Sequence, residues 1–246
     1  MPTVLALSPH LDDAAFSCGG TLARLAGGGA RVIVATLFTA SVPDPRGFAL
    51  ACQLDKGLGP EVDYMALRRA EDVSALAHLG AEARHVPLTE APHRGYGSAP
   101  ELFADPRPDD PARADLAPVL AGLLAETRPD LLLAPQAVGG HVDHVALVGA
   151  LADLEPAIPV LWWRDFPYTV RDARPKAPFA ARFDALPALA VPLDDAARAA
   201  RLAACAAYAS QIGFQFGGAA GLADRLAREE AETFARDGAV PAGLAL

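Results

Sequence analysis

The sequence predicts a single α/β domain spanning residues 1–246, with a mostly parallel sheet and helices on both faces. Three observations carry this. Short apolar runs without polar alternation, such as TVLALS (3–8) and RVIVATLF (31–38), are the mark of strands buried on both faces. They alternate with longer segments at helical spacing, the pattern of parallel strands joined by crossover helices. Hydrophobic residues make up 52% of the 246, enough for one large core, and too little sequence follows the Pro-rich stretch 167–192 to build a second.

Taken in order, strand 3–8 runs straight into a helix at 13–27, stopped by Gly27–Gly29. Strand 31–38 is followed by an irregular segment, 39–59, rich in Pro, Gly and Asp. A loop of that length in a compact domain is more often functional than filler. Residues 62–79 carry apolar positions at helical spacing, and Gly80 suits the stop. A third strand at 83–88 leads into a second long loop, 91–110. A helix at 112–127, a strand at 130–136 and a loop-to-helix segment, AVGGHVDHVALVGALADL, follow. Further strands are expected at 159–166 and 187–193, and the chain ends with helices near 194–210 and 219–236. The Ala-rich stretches keep helical periodicity, and no internal repeat is visible.

The formal charge of −9 contains no basic block, which argues against nucleic acid or an anionic membrane surface as partner. No charge-free apolar run reaches membrane-spanning length, and no basic n-region precedes an apolar segment, so a cytoplasmic protein without membrane insertion is expected. Cys18, Cys52 and Cys205 are far apart and not in CxxC spacing, which reads as reduced thiols. The apolar tail AVPAGLAL suits packing on its own domain or on a second copy in a homo-oligomer.

In the Rossmann-like strand order 3-2-1-4-5, the ligand crevice lies outside the carboxyl ends of the first and fourth strands. Those two places hold HLDD (10–13) and HVDH (141–144). His10 and Asp13, three apart, point the same way in a first helical turn, and His144 opens the helix after the fourth strand. Two imidazoles and one carboxylate, with room for water, match a catalytic zinc site made by His10, Asp13 and His144. Asp12 is left over and suits a base taking a proton from water, while His141 suits donation to a developing oxyanion or a leaving amine. Asp143 suits orienting one imidazole. Either motif alone reads more readily as surface or satisfied core histidines and helix-capping aspartates; the pair, at the two switch-point strands, points to a site.

These residues resemble the LmbE-like (PIG-L) zinc-dependent N-deacetylases, whose hallmark is a PHPDD-type motif near the N-terminus and an HPDH-type motif later. RRAEDVSALAHLG (68–80), WWRDFPY (162–168) and AYASQ (207–211) extend the likeness. The resemblance implies zinc on His10, Asp13 and His144, Asp12 as general base, His141 stabilising the tetrahedral intermediate, and Arg68 as a substrate-pocket arginine. It implies removal of the N-acetyl group from an N-acetylglucosamine-containing small molecule or glycoconjugate, with N-acetylglucosaminyl-malate suggested by RDFPY. Leu11 and Val142 stand where the family has proline, and Ala14 where many members carry glutamate.

Arg94 and Tyr96, on the loop after the third strand, and Asp165 and Tyr168, after the fifth, complete the candidate substrate residues. Arg68 also has an ion-pair partner available in Glu71 at i+3. Trp162 and Trp163 read as core, and His78 and His85 as structural. GxGxxG is absent, which excludes a dinucleotide fingerprint. Two other classes fit the same core: a zinc hydrolase of another amide, such as a thiol conjugate, and a non-catalytic carbohydrate- or metal-binding module.

Overall fold

With only apolar residues at its centre, the first run is stable only where both faces are covered. In the computed structural model, which describes residues 1–170, 174–244 and 246, Val4–Leu7 are fully buried in β1 (Thr3–Ser8), in the interior of the sheet. Helix α1 (Asp13–Gly27) returns the chain to β2 (Arg31–Thr36). Helices α2 (Gly47–Leu54) and α3 (Tyr64–His78) precede β3 (Glu82–His85); α4 (Ala99–Leu102) and α5 (Ala112–Thr127) precede β4 (Leu131–Pro135). Helix α6 (Val142–Leu154) leads to β5 (Val160–Trp163), and α7 (Ala180–Asp184) to β6 (Ala188–Pro192). Helices α8 (Asp195–Ala206), α9 (Ala209–Phe216) and α10 (Ala219–Ala227) precede the last strand, β7 (Ala231–Asp237).

The strand order is β3-β2-β1-β4-β5-β7-β6, parallel from β3 through β5, with β7 antiparallel to both neighbours. Ala6 pairs with Val34 on one side and Leu133 on the other, so the carboxyl ends of β1 and β4 lie side by side. That is the switch point expected from the order 3-2-1-4-5. Successive residues of β1 feed opposite layers. Val4 and Ala6 pack with Leu22, Leu25 and Leu76 beneath α1 and α3, and Leu5 and Leu7 with Leu116, Leu120 and Leu147 beneath α5 and α6. Each such buried leucine contributes about 1.5–3 kcal/mol.

Besides the short helices α4 and α7, which fall in the expected loop 91–110 and the Pro-rich stretch, the structure departs from expectation in three places. The segment 39–59 is not wholly irregular: GFALACQL forms α2, whose buried Gln53 donates to the carbonyls of Gly59 (2.5 Å) and Val62 (3.1 Å) and so closes the loop on itself. Helix α9 lies between the two expected C-terminal helices. And 219–236 is not one helix, because its second half is β7. There Glu232 and Phe234 turn inward while Thr233 faces out, a period of two. The Glu232 carboxylate accepts from Gly20 N (2.9 Å), Thr21 N (2.7 Å) and Thr21 Oγ1 (2.5 Å) and lies 3.3 Å from Arg201 Nε. A Cβ on Gly20 would meet Leu193 at 2.6 Å, so glycine is what lets α1 approach this edge of the sheet.

Val240, Leu244 and Leu246 pack on the chain's own core, which accounts for the apolar tail. Cys18, Cys52 and Cys205 are free thiols. Among the described residues no helix is long and apolar enough to cross a membrane. Trp162 and Trp163 are buried in β5, as read from the sequence.

Candidate active site

Both motifs emerge at the switch point. Ser8, the last residue of β1, fixes the first turn: its hydroxyl donates to the His10 carbonyl (2.7 Å) and accepts from Ala14 N–H (3.1 Å). Asp13 opens α1, and its Oδ2 accepts from the His10 N–H (2.8 Å). The second turn is the start of α6, with His141 as its N-cap residue.

Between the two turns, His10 Nδ1, Asp13 Oδ2 and His144 Nε2 form a triangle with edges of 3.3, 3.1 and 3.3 Å. Three corners of a tetrahedron around zinc, at zinc–ligand distances near 2.0–2.1 Å, lie about 3.3–3.4 Å apart. The outward nitrogens are each held by a carboxylate: His10 Nε2 lies 2.9 Å from Asp143 Oδ2, and His144 Nδ1 2.7 Å from Asp165 Oδ1. A carboxylate on the outer nitrogen keeps the N–H there and turns the lone pair inward. The inner edge then carries three acceptors facing one another, the donor set of a cation. One ring nitrogen each of His10, His141 and His144 also come within 4.8 Å of one another. That set is more open than the triangle with Asp13, and His141 Nδ1 already accepts from Asp143 N–H (3.2 Å). The residues present therefore fit a metal on His10, Asp13 and His144.

Electrostatics follow the same geometry. Burial disfavours charge throughout, but the carboxylates of Asp13 and Asp165 raise His144 to about 9, and those of Asp13 and Asp143 raise His10. Against the same burial, His144 and His10 hold Asp13 well below the usual carboxylate range. Burial instead pushes Asp12 up to about 7, with the Arg68 guanidinium pulling the other way. Burial, reinforced by the charge of His10, takes His141 down to about 3, so its imidazole is neutral.

Asp12 points away from Asp13. Arg68 Nη2 lies 3.6 Å from its Oδ1, and Gln215 Nε2 donates to its Oδ2 at 3.3 Å. Its backbone sits at φ 145°, a conformation L-residues rarely adopt, costing about 1–3 kcal/mol and stored where the side chain must be aimed. Arg68 itself is buried. It pairs with Glu90 (2.7 Å) and donates to the Leu11 carbonyl (2.9 Å), not to Glu71, which instead binds Ser210. The pocket in front of these groups, ≈ 350 Å³, is walled by His141, Phe103, Phe166, Tyr168, Tyr64, Lys56 and Phe214.

The structure brings His10, Asp12, Asp13, Arg68, His141, Asp143, His144 and Tyr168 to this pocket. Arg94, Tyr96 and Asp165, expected to touch substrate, stand behind it. Arg94 forks onto Asp110 (2.9 and 3.0 Å) and reaches Asp143 Oδ1 (2.5 Å), while the Tyr96 hydroxyl donates to Asp110 (2.8 Å). Asp165 is spent on His144 and on Val138 N–H (2.8 Å). Their physical reason is burial: a charged side chain this deep is stable only with its partners saturated. Val142, in place of proline, packs with Ala91 and Tyr96, and Leu11 is fully buried. Glu90, Asp110, Gln215 and Lys56 were not singled out by the sequence. Each lies in a loop or a short helix without periodicity, and only the loop-length argument for 39–59 and 91–110 pointed to two of them, Lys56 and Asp110.

The family model described as PIG-L, GlcNAc-PI de-N-acetylase, matches residues 5–154. The chain is similar to a 2'-N-acetylparomamine deacetylase of Streptomyces fradiae, 36% identical over 191 residues, covering 72% of this chain and 65% of that protein. It is also 29% identical over 173 residues to a 1D-myo-inositol 2-acetamido-2-deoxy-alpha-D-glucopyranoside deacetylase of Mycobacterium, covering 66% of this chain and 54% of the relative. The chain thus spans less than two thirds of the length of these curated relatives. Among solved structures, the zinc-inhibited form of teicoplanin deacetylase superposes with a TM-score of 0.80 at 28% identity, over 95% of this chain and 97% of that one. The A40926 pseudoaglycone deacetylase does so with 0.75 at 29% identity, over 95% and 96%.

Proposed function

The chain belongs to the PIG-L family, an enzyme family, and from that premise we propose that it hydrolyses the N-acetyl amide of an N-acetylglucosamine-type sugar within a larger conjugate. The observation that carries this reading is the triangle of His10, Asp13 and His144 with the spare carboxylate of Asp12 beside it, at the floor of a pocket.

A zinc ion held by the three residues would supply Lewis acidity towards the amide carbonyl and the attacking water. Asp12 takes the proton from that water; burial keeps its proton affinity near neutrality, which suits a base that must later give the proton up. His141 has its Nδ1 engaged by Asp143 N–H, so a neutral Nε2–H remains to donate to the oxygen of the tetrahedral intermediate. The proton returned to the departing nitrogen is assigned to Asp12, which has just taken it from water. The C–N bond breaks, acetate keeps the water oxygen, and the sugar leaves as the free amine. Asp143 and Asp165 orient His10 and His144, and Arg94 fixes Asp143.

The relatives named above include two whose substrates carry a 2'-N-acetyl or 2-acetamido group, which supports an N-acetylglucosamine-type ring here. N-acetylglucosaminyl-malate is one candidate conjugate. Zinc-loaded protein is expected to release acetate from at least one of a panel of N-acetylglucosamine conjugates, and Asp12→Ala to lose about 10²–10⁴-fold in kcat while keeping its metal. Full activity in Asp12→Asn would remove the base assignment, and no release from any conjugate by metal-replete protein would remove the deacetylase reading.

A further inference from the structure

Among the described residues, the cation at the outer end of the same pocket has no counter-ion beside it. The wall runs outward from Asp12 through Arg68 and Tyr64 to Lys56. Arg68 Nη2 is 3.6 Å from Asp12, its guanidinium lies 5.5 Å from the Tyr64 ring centre, and Lys56 Nζ lies 5.4 Å from that same ring. The charge of Arg68 is matched by Glu90 and Asp12. That of Lys56 is not. Its ammonium donates to the Cys52 carbonyl (2.8 Å) and lies 5.0 Å from the ring of Phe214, but among the described residues no carboxylate oxygen comes within 4.0 Å of it.

An ammonium has three donors, so two remain for a ligand. Half-buried between two aromatic rings, with Arg68 as the next charge along the wall, Lys56 is costly to leave unpaired. Burial and the Arg68 charge push its pKa below the ordinary lysine value, against the weaker pull of more distant Glu90 and Asp12. The choice of lysine is also unusual for this chain, which has only one other, Lys176, on an exposed pairing with Asp105. Lysine binds as a compact point charge with freely rotating donors, suited to a carboxylate or phosphate whose orientation is not fixed.

We propose that Lys56 is a specificity-determining residue that binds a carboxylate or phosphate on the group joined to the amino sugar, making anionic conjugates the preferred substrate class. This rests on the deacetylase reading above and deepens it. Beyond Arg68 and Tyr64, Lys56 is placed to meet what is attached to the sugar and not the ring nearest the metal centre.

Two measurements test it. Acetate release is compared for N-acetylglucosamine joined to a hydroxy acid, to that acid's methyl ester, and to an alkyl phosphate, the acid and phosphate arms separating the two sources of negative charge. A charge-assisted hydrogen bond is worth about tenfold or more, so kcat/KM should favour at least one anionic conjugate over the ester by that factor. Lys56→Met should collapse the ratio through KM, and Lys56→Arg should restore most of it. Equal rates in the native enzyme, or a ratio that survives Lys56→Met, would overturn the proposal. Independently of turnover, a short pulse of amine-directed reductive methylation reads Lys56 by mass spectrometry, with Lys176 as internal reference. The anionic conjugate should slow labelling of Lys56 and the ester should not. Protection without acetate release would uphold the anion site and sink the deacetylase reading. Acetate release without charge preference or protection would do the reverse.

Discussion

The turn after β1 and the turn after β4 each give the candidate metal site a histidine, yet they are built in opposite ways. The second is a relaxed helix start: His141 caps α6, and Asp143 and His144 follow in its first turn. The first is strained, with Asp12 at φ 145° between His10 and Asp13. The rings are also used oppositely, His10 facing the site through Nδ1 and His144 through Nε2. Supporting carboxylates cross over in one case only. Asp143 of the second turn holds His10 of the first, whereas His144 is held by Asp165 after β5. The comparison teaches that a candidate ligand can come from a regular element, whereas here the carboxylate beside a candidate ligand is aimed by an irregular backbone. Two adjacent aspartates on an ordinary helical turn would also diverge, but α1 begins only at Asp13, and the turn before it is what sends Asp12 toward Arg68 and Gln215.

The largest expected effect tests whether both turns hold the metal. His10→Ala and His144→Ala should each take bound zinc from one per chain to well below, and lower activity by about 10³-fold or more, because a Lewis acid is worth several kcal/mol. Metal analysis after dialysis checks this. If only one of the pair lost zinc, the two-turn site would be wrong and the comparison with it.

A smaller effect sharpens the crossed support. Removing a carboxylate behind a ligating histidine weakens metal binding by about 10–100-fold. Asp165→Asn and Asp143→Asn should both do so, measured by competition with a chelator. Asp143→Asn should also destabilise the fold more. Asp143 accepts from Arg94 (2.5 Å) and from Ala91 N–H (3.2 Å) as well, and Arg94 is buried with only Asp110 left to balance it. Burial opposes its charge, yet His10 and Arg94 hold Asp143 well below the usual range, so the network depends on that charge. Equal loss of stability in the two variants would show that Arg94 adds nothing through Asp143.

How much of this was legible divides along the same line. HLDD and HVDH were readable because each is contiguous and follows an apolar strand, and the expected strand order 3-2-1-4-5 put the two strand ends together at its switch point. The roles proposed for Asp12, Asp13 and His144 were read from spacing. Of the support behind them, Asp143 beside an imidazole was readable and the rest was not. Arg94, Tyr96 and Asp110 sit in a loop with no period, and a polar loop residue looks the same whether it faces a ligand or braces a carboxylate. Gln215 comes from a short helix 203 residues after Asp12. Glu232 was hidden differently: in REEAETFARD the charges imitate an exposed helix, and only its partners Thr21 and Arg201, far away in sequence, make a strand with an inward glutamate stable.

The finest test isolates backbone from side chain. If Asp12 is held in a conformation that a Cβ resists, Asp12→Gly and Asp12→Ala remove the same carboxylate but differ in strain. The glycine variant should then be the more stable by about 1 kcal/mol or more, since glycine enters positive φ without penalty. At Asp143, on regular helix, the order should reverse: glycine costs about 0.5–1 kcal/mol relative to alanine there. Both pairs lose their charge equally, so the electrostatic changes cancel within each pair and only the backbone preference remains. Urea midpoints of the four variants, with unchanged slopes, read the two differences directly. Opposite signs mean that the first turn stores strain to aim Asp12 while the second stores none. A shared sign, with alanine better at both, would mean that the turn after β1 relaxes once the carboxylate is gone, so that Arg68 and Gln215 pull Asp12 into place and the backbone merely follows.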